Sequence, residues 1–271
     1  MLGEKKNNNQ GCRRLMKDCR EEWYDADAKV SVTVVDVTTA AQDLASRHLC
    51  GPTSAHYLTK ALAAVALLAS EMSERDECIS VQMKCTGPLG GFNVECTSEG
   101  TLRGYTEKKV LDEFDGLGEP DDRKVLGARQ LQITRSVPGR ILSQGISNSI
   151  DGYLAGSLQR KACIYLSASV NNEVEVLRAR GVMVEALPDS QKSVTAFIPE
   201  DMGLEPREML GQMGLDGAEL KKSTPLGFAC RCSPERAASM LNALDEKERA
   251  GLPPKIDITC HMCGHTFTVA V

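Results

Sequence analysis

The alternation of apolar and polar positions predicts a chain of strands wrapped around one unusually apolar helix. Val30 to Val37 alternates and is rich in β-branched residues, which predicts a strand. Thr39 to Cys50 places Ala41, Leu44, Ala45, His48 and Leu49 at helical spacing, and Gly51-Pro52 stops it. A second helix is expected from about Ser54 to Glu74. Its middle, Ala61 to Ala69, is apolar on every side, the pattern of a helix buried on all faces. Ile79, Val81, Met83 and Cys85 then alternate to one side of a strand, Gly87 to Gly91 turns the chain, and Phe92, Val94 and Cys96 form the return. Thr101–Tyr105 adds a further strand, residues 106–127 read as loop, and Gln130–Thr134 is strand-like. A helix is expected over Ile146–Arg160, with Ile150, Tyr153, Leu154 and Leu158 on one stripe. Strands are expected over Ala162–Val170 and Val174–Leu187. Strands interspersed with helices predict an α+β domain over residues 29–187, with a mainly antiparallel sheet and a buried central helix.

Three segments flank this domain differently. Residues 1–28 read as a disordered extension. Residues 188–227 carry seven acidic and four basic side chains, five glycines and three methionines. Short helices are expected around Pro206–Gln212 and Ala218–Lys222. Isolated helices below about 12–15 residues are marginal, so this linker should be metastable and fold only by docking. Residues 228–271 form a separate small unit.

Charge and cysteine content narrow the function. The net charge of −5 argues against a phosphate-backbone binder, so no nucleic-acid partner is expected. The longest apolar run, Ala61 to Ala69, is far short of the ~20 residues of a membrane span, so no membrane partner is expected. Eleven cysteines accompany an N-terminus without an apolar signal core, which points to a reducing, cytoplasmic setting and to cysteines used as metal ligands or redox thiols. The excess of Lys5, Lys6, Arg13, Arg14, Lys17 and Arg20 over Glu4 and Asp18 leaves a mitochondrial or other organellar presequence as the alternative.

The candidate chemistry lies at the C-terminus. Cys230-Arg231-Cys232 and Cys260-His261-Met262-Cys263 supply two close cysteine pairs, a pattern suited to one tetrahedral Zn²⁺ per chain. Between them, Ser233-Pro234-Glu235 opens a helix with an N-cap, a proline and an acid. Ala237, Met240, Leu241 and Leu244 make its apolar stripe. Lys255–Thr259 and Thr266–Val271 alternate as a hairpin whose tip is a cysteine knuckle, with Gly264 relieving the turn. A unit this small needs a metal or disulfides to hold it. The Cys-x-Cys half adds a redox possibility. A disulfide across it would close a small, strained ring, and strained disulfides are labile.

Together these segments resemble the heat-shock protein 33 family of redox-regulated chaperones. Phe228–Ser233 and Cys260–Gly264 are similar to that family's ligand segments. Ala61–Ser70, Val81–Lys84, Gly87–Gly90 and Gly100–Tyr105 are similar to its central helix and its strand-and-turn pattern. The resemblance implies an ATP-independent holdase, inactive when reduced and zinc-bound. It implies activation by oxidation to Cys230–Cys232 and Cys260–Cys263 disulfides, with zinc release, linker unfolding, homodimerisation and binding of unfolding client proteins. No enzyme motif is present: Gly116-Leu117-Gly118 opens no helix, and neither a Gly-x-Ser-x-Gly elbow nor a His-Glu-x-x-His helix occurs. Two alternatives compete. A zinc-ribbon nucleic-acid module is weakened by five basic against five acidic side chains over 228–271. A thiol–disulfide oxidoreductase at Cys260-x-x-Cys263 lacks the helix that lowers thiol pKa. Cys85 and Cys96 are expected as core filler, Cys12 and Cys19 on the tail, and His261 and His265 beside the ligands rather than among them.

Overall fold

A computed structural model describes residues 18–242 and 244–271. The elements run β1 (Cys19–Asp25), β2 (Val30–Asp36), α1 (Thr38–Arg47), α2 (Pro52–Leu68), β3 (Cys78–Cys85), β4 (Gly91–Thr97), β5 (Thr101–Thr106), α3 (Asp122–Val125), β6 (Arg129–Val137), β7 (Arg140–Ser147) and α4 (Ile150–Gly156). They continue through β8 (Lys161–Val170), β9 (Val176–Ala186), α5 (Pro206–Gln212), β10 (Glu219–Pro225), β11 (Gly227–Phe228), α6 (Pro234–Asn242), α7 (Glu246–Ala250), β12 (Lys255–Thr259) and β13 (Thr266–Ala270). The fold is α+β. One sheet has the order β10-β1-β2-β9-β8, a second β11-β5-β4-β3-β6-β7, and β12-β13 form a hairpin. Neighbouring strands are antiparallel, except that β11 lies parallel to β5.

Helix α2 lies between the two larger sheets. It packs on β2, β8 and β9 of one and on β3, β4 and β5 of the other. Pro52 occupies its first turn, where a missing N–H costs nothing. All its residues but Pro52 and Lys60 are buried, as an all-round apolar helix requires. Leu58, Leu62, Leu67 and Leu68 join Ile79, Val81, Val94, Leu102 and Ile133 in one continuous core.

A second apolar cluster lies on the outer face of the five-stranded sheet. There Trp23, Val30, Val32, Val34, Val182 and Val184 are covered by Phe197, Met209, Leu210, Met213, Leu215 and Ala218 of the linker. The short helix α5 begins at Pro206, carries Met209 and Leu210, and ends against Met213. Its own hydrogen bonds could not hold so short a helix; burial of one face does.

The structure corrects four expectations. The disordered extension expected over 1–28 fails for its described part, because Cys19–Asp25 is strand β1, second from the edge of a sheet. Its alternation is masked because the inward residues include polar ones. Arg20 is only 1% exposed and bonds to Ala66 O at 3.3 Å and Glu22 Oε1 at 3.2 Å. The preceding Asp18 accepts from Thr39 N at 2.9 Å and Ala40 N at 2.7 Å, filling the role of a cap that Val37 cannot. The tail reading for residues 1–17, Cys12 included, lies outside the described residues. Second, the helix expected over Ile146–Arg160 is the end of β7 followed by the shorter α4, whose start is fixed by Ser149 accepting from Gly152 N. Third, the helix expected around Ala218–Lys222 is strand β10, paired with β1 from Cys19↔Pro225 to Tyr24↔Glu219. Fourth, the loop at 106–127 contains the single turn α3. Among the described residues, no helix is long and apolar enough to cross a membrane.

A candidate metal centre docked on one strand

The four cysteines of the C-terminal pairs come from two short loops held in place by their flanks. Cys230-Arg231-Cys232 leaves β11 directly. That strand is fixed on β5 by the Gly227↔Thr101 and Phe228↔Leu102 pairing and by Ala229 N donating to Leu102 O at 3.2 Å. Ser233 then accepts from Arg236 N at 3.2 Å, closing the first turn of α6. The chain passes through α7, which carries a capping box between Asp245 and Glu248. Cys260 and Cys263 sit at the tip of the β12–β13 hairpin. Cys260 N donates to His265 O at 2.8 Å and Gly264 N to Cys260 O at 2.8 Å, which folds the knuckle. Gly264 adopts φ +71, and a Cβ there would lie 2.5 Å from Arg47 O. A glycine is therefore required twice over, by the turn and by its approach to the end of α1.

All four Sγ atoms lie within 4.8 Å of one another. Cys230 and Cys260 are 3.8 Å apart and Cys232 and Cys263 3.4 Å. Four sulfurs at about 2.3 Å from a tetrahedral Zn²⁺ stand about 3.8 Å from each other, so this donor set fits such an ion. The electrostatics favour one thiolate and resist others. Burial opposes ionisation of Cys230, but hydrogen bonds from the Cys232 backbone and the Arg103 guanidinium outweigh it and bring its pKa down to about 7. Burial pushes Cys232 and Cys263 upward. A bound divalent cation offsets the mutual repulsion of four thiolates in so small a volume. His261 and His265 are outside the group: His261 meets the Tyr105 ring edge-on at 5.9 Å, and His265 meets Phe267 at 4.5 Å.

The knuckle leans on the N-terminal body. Gly104 N donates to Met262 O at 3.0 Å. His48 Nε2 lies 2.9 Å from Gly104 O and so carries the hydrogen. Burial pushes the His48 pKa down to about 4, which keeps this ring neutral at physiological pH. Arg103 Nη1 stands 3.8 Å from Cys230 Sγ, while its Nε and Nη2 hold Glu95 Oε2 at 2.8 and 2.6 Å. Arg231 Nη2 approaches the same carboxylate oxygen at 4.0 Å. Sequence reasoning did not find Arg103 and Glu95. Neither lies near a cysteine of the cluster in the chain, and only the β4–β5 pairing of Glu95 with Arg103 unites them.

The remaining described cysteines do not join the cluster. Cys96 is fully buried, and burial pushes its thiol up to about 12. Cys85 is half-buried on β3. Burial likewise raises Cys19 and Cys78 to about 11, which keeps them protonated and poorly nucleophilic. Cys19 is thus part of a sheet, not of a tail.

Comparison with known proteins points to one family. The family model described as "Hsp33 protein" matches residues 22–270. The chain is 29% identical over 258 residues to the 33 kDa chaperonin of Symbiobacterium thermophilum, covering 85% of this chain and 87% of that one. It is 26% identical over 277 residues to a 33 kDa chaperonin of Thermus thermophilus, covering 89% and 81%. The crystal structure of a 33 kDa chaperonin from Thermotoga maritima superposes with a TM-score of 0.80 at 19% identity, over 94% of this chain and 95% of that one, a likeness of fold.

Proposed function

The chain belongs to the Hsp33 family, and from that premise we propose that it is an ATP-independent holdase of the cytoplasm whose client-binding surface is uncovered by oxidation of Cys230, Cys232, Cys260 and Cys263. In this reading the four thiolates hold one Zn²⁺ per chain in the reduced state. The bound ion ties two loops of a unit that has little core of its own. Among the described residues Ala237, Leu241 and Val269 are its buried apolar cluster, and structural zinc contributes apparent binding energies of about 10–16 kcal/mol at neutral pH.

Oxidation forms Cys230–Cys232 and Cys260–Cys263 disulfides. Each pair of thiolates gives two electrons to one peroxide, which takes up two protons and leaves as two waters. Without thiolate ligands the C-terminal unit loses its tie, and the loss passes directly into the linker. Cys230 follows β11, and β11 follows β10 with only Leu226 between them. Strand β10 has little to hold it besides backbone pairing with β1, since all its side chains but Thr224 are exposed. Release of β10 frees Leu215, Met213, Leu210 and Met209 from the outer face of the five-stranded sheet. Trp23, Val32, Val34, Val182 and Val184 are then uncovered, and exposed apolar patches of this kind bind unfolding proteins. The methionines on the freed segment add adaptable apolar contacts. Two oxidised copies would associate through such surfaces as a homodimer.

The observation that carries this reading is the continuity of one chain segment. It covers an apolar sheet face at one end and enters a four-cysteine cluster at the other. The test is light scattering of a heat-unfolding client with reduced zinc-loaded protein and with warm, peroxide-treated protein, zinc release being followed in the same samples. Suppressed aggregation only after oxidation, with about one zinc released per chain, is the expected result. Equal activity in both states would make the zinc purely structural, and activity in neither would sink the chaperone reading.

A further inference from the structure

The cysteine unit meets the N-terminal body chiefly along β5, with the end of α1 beside its knuckle. Thr101 and Leu102 of β5 pair with β11, Gly104 bonds to Met262 O, and Tyr105 touches His261. Between them Arg103 reaches Cys230 Sγ at 3.8 Å. The first contacts are backbone pairing or ring packing, and they are indifferent to the oxidation state of sulfur. The contact of Arg103 is not. Its surroundings hold two cations, Arg103 and Arg231, and two anions, Glu95 and the Cys230 thiolate; the neutral Cys78 thiol also stands 3.9 Å from Glu95. In the reduced, zinc-loaded state the four thiolates outweigh the divalent ion, so the cluster presents net negative charge to the two guanidiniums. Oxidation to two disulfides with release of zinc removes that negative charge, the electrons passing to peroxide as above, and two guanidiniums are left on one carboxylate. The Arg103 and Glu95 side chains are only 18% and 19% exposed, so water screens the imbalance weakly.

We propose that Arg103 is a charge-reading clamp, a positioning residue that holds the cysteine unit on β5 while Cys230 is a thiolate and releases it when that charge is lost. The proposal rests on the redox reading of the cluster and adds a step to it: undocking follows from charge loss at Cys230 as well as from loss of the metal. Arg231 is half-exposed and swings into solvent when repelled, whereas Arg103 is held by Glu95. The clamp therefore opens on the side of the cysteine unit.

The experiment uses the reduced, zinc-loaded full chain and its R103Q and R103K variants. Hydrogen exchange is read at the Gly104 and Ala229 amides, which bond to Met262 O and Leu102 O. Zinc per chain is measured with a chromogenic chelator. R103Q is expected to keep its zinc while both amides exchange about tenfold faster, in line with the loss of one charge-assisted hydrogen bond. R103K, which keeps the charge, should recover most of the protection. Wild-type exchange rates in R103Q would overturn the clamp, and so would failure of R103K to restore protection or loss of zinc together with protection. If R103Q is insoluble, exchange at the same two amides in the R103K variant and in the oxidised wild type decides: oxidised wild type as protected as reduced wild type overturns the clamp. Client protection by oxidised wild type is scored separately. A holdase with an unaltered R103Q strand refutes only the clamp, and a loosened R103Q strand without oxidised holdase activity refutes only the redox-switched chaperone.

Discussion

The N-terminal body and the C-terminal cysteine unit solve the same problem with opposite means. The body buries nearly every residue of α2 between two sheets and closes a core that reaches from Val35 to Leu226. Among its described residues the cysteine unit buries Ala237, Leu241 and Val269, with Ala238, Leu252, Ile256, Ile258 and Phe267 only partly buried against them. At about 25 cal/mol per Å² of apolar surface, so small a core cannot offset the ordering of some forty residues. The body is held by solvent exclusion, which no cellular oxidant can cancel. In the proposed function the unit is held by sulfur chemistry, which an oxidant can. The linker stands between them: its apolar face is buried on the body, yet it is continuous with the unit. Stability is thus graded along the chain, and the least self-sufficient part is the one that carries the reactive groups.

The largest effect expected from this contrast is at the cluster. Cys260→Ser, or removal of zinc by a chelator, should unfold residues 228–271 at a cost drawn from the ~10–16 kcal/mol of a structural zinc site. Limited proteolysis should cut within α6 to β13 while the body still melts cooperatively. A protease-resistant unit in the metal-free protein would show that its small core suffices and would dissolve the contrast.

A smaller effect is expected at the linker. Phe197→Ala removes a side chain 1% exposed, and Leu210→Ala another. Each should cost docking about 2–5 kcal/mol. Reduced, zinc-loaded protein should then bind an apolar dye that the wild type excludes, with its zinc content unchanged. Dye binding no greater than wild type would mean that α5 and its neighbours are not what shields the sheet.

The smallest effect is a pH slope in the body. Burial pushes the His56 pKa down to about 4 from 6.5, so the unfolded chain binds a proton in this window that the folded chain refuses. The stabilisation is complete above pH 6.5 and is lost as pH falls towards 4, by at most about 1.4 kcal/mol per unit. Denaturant unfolding followed by Trp23, the single tryptophan, should show this slope, and His56→Gln should lower it by about half, because burial pushes His48 down to about 4 as well. An unchanged slope would place the acid sensitivity elsewhere in the body.

What could be read before folding was whatever leaves a periodic or spaced trace. The all-round apolar run at Ala61–Ala69 marked the central helix, the alternation from Ile79 to Cys96 marked β3 and β4, and the two cysteine pairs marked the cluster. Strand β1 escaped because Arg20 and Asp25 occupy buried positions, and a buried arginine reads as polar surface until its partner Ala66 O is known. Strand β10 escaped because Glu219 to Pro225 shows five exposed residues before its one buried threonine; its conformation comes from the edge of β1, which supplies hydrogen-bonding groups and no side-chain pattern. The end of β7 reads as helix because the stripe of Ile150, Tyr153, Leu154 and Leu158 carries the span back to Ile146, although a strand and a helix meet between Ile146 and Ile150.

By itself the sequence determined the two close cysteine pairs and the helix that must be buried, because cysteine spacing and hydrophobic periodicity are local properties written within a few residues. Only the tertiary structure decided that the linker's second half is a sheet edge, that Asp18 caps α1, and that Arg103 and Glu95 stand against Cys230. These contacts join residues far apart in the chain, and the free energy of a long-range pairing depends on which surfaces meet, which no local pattern encodes.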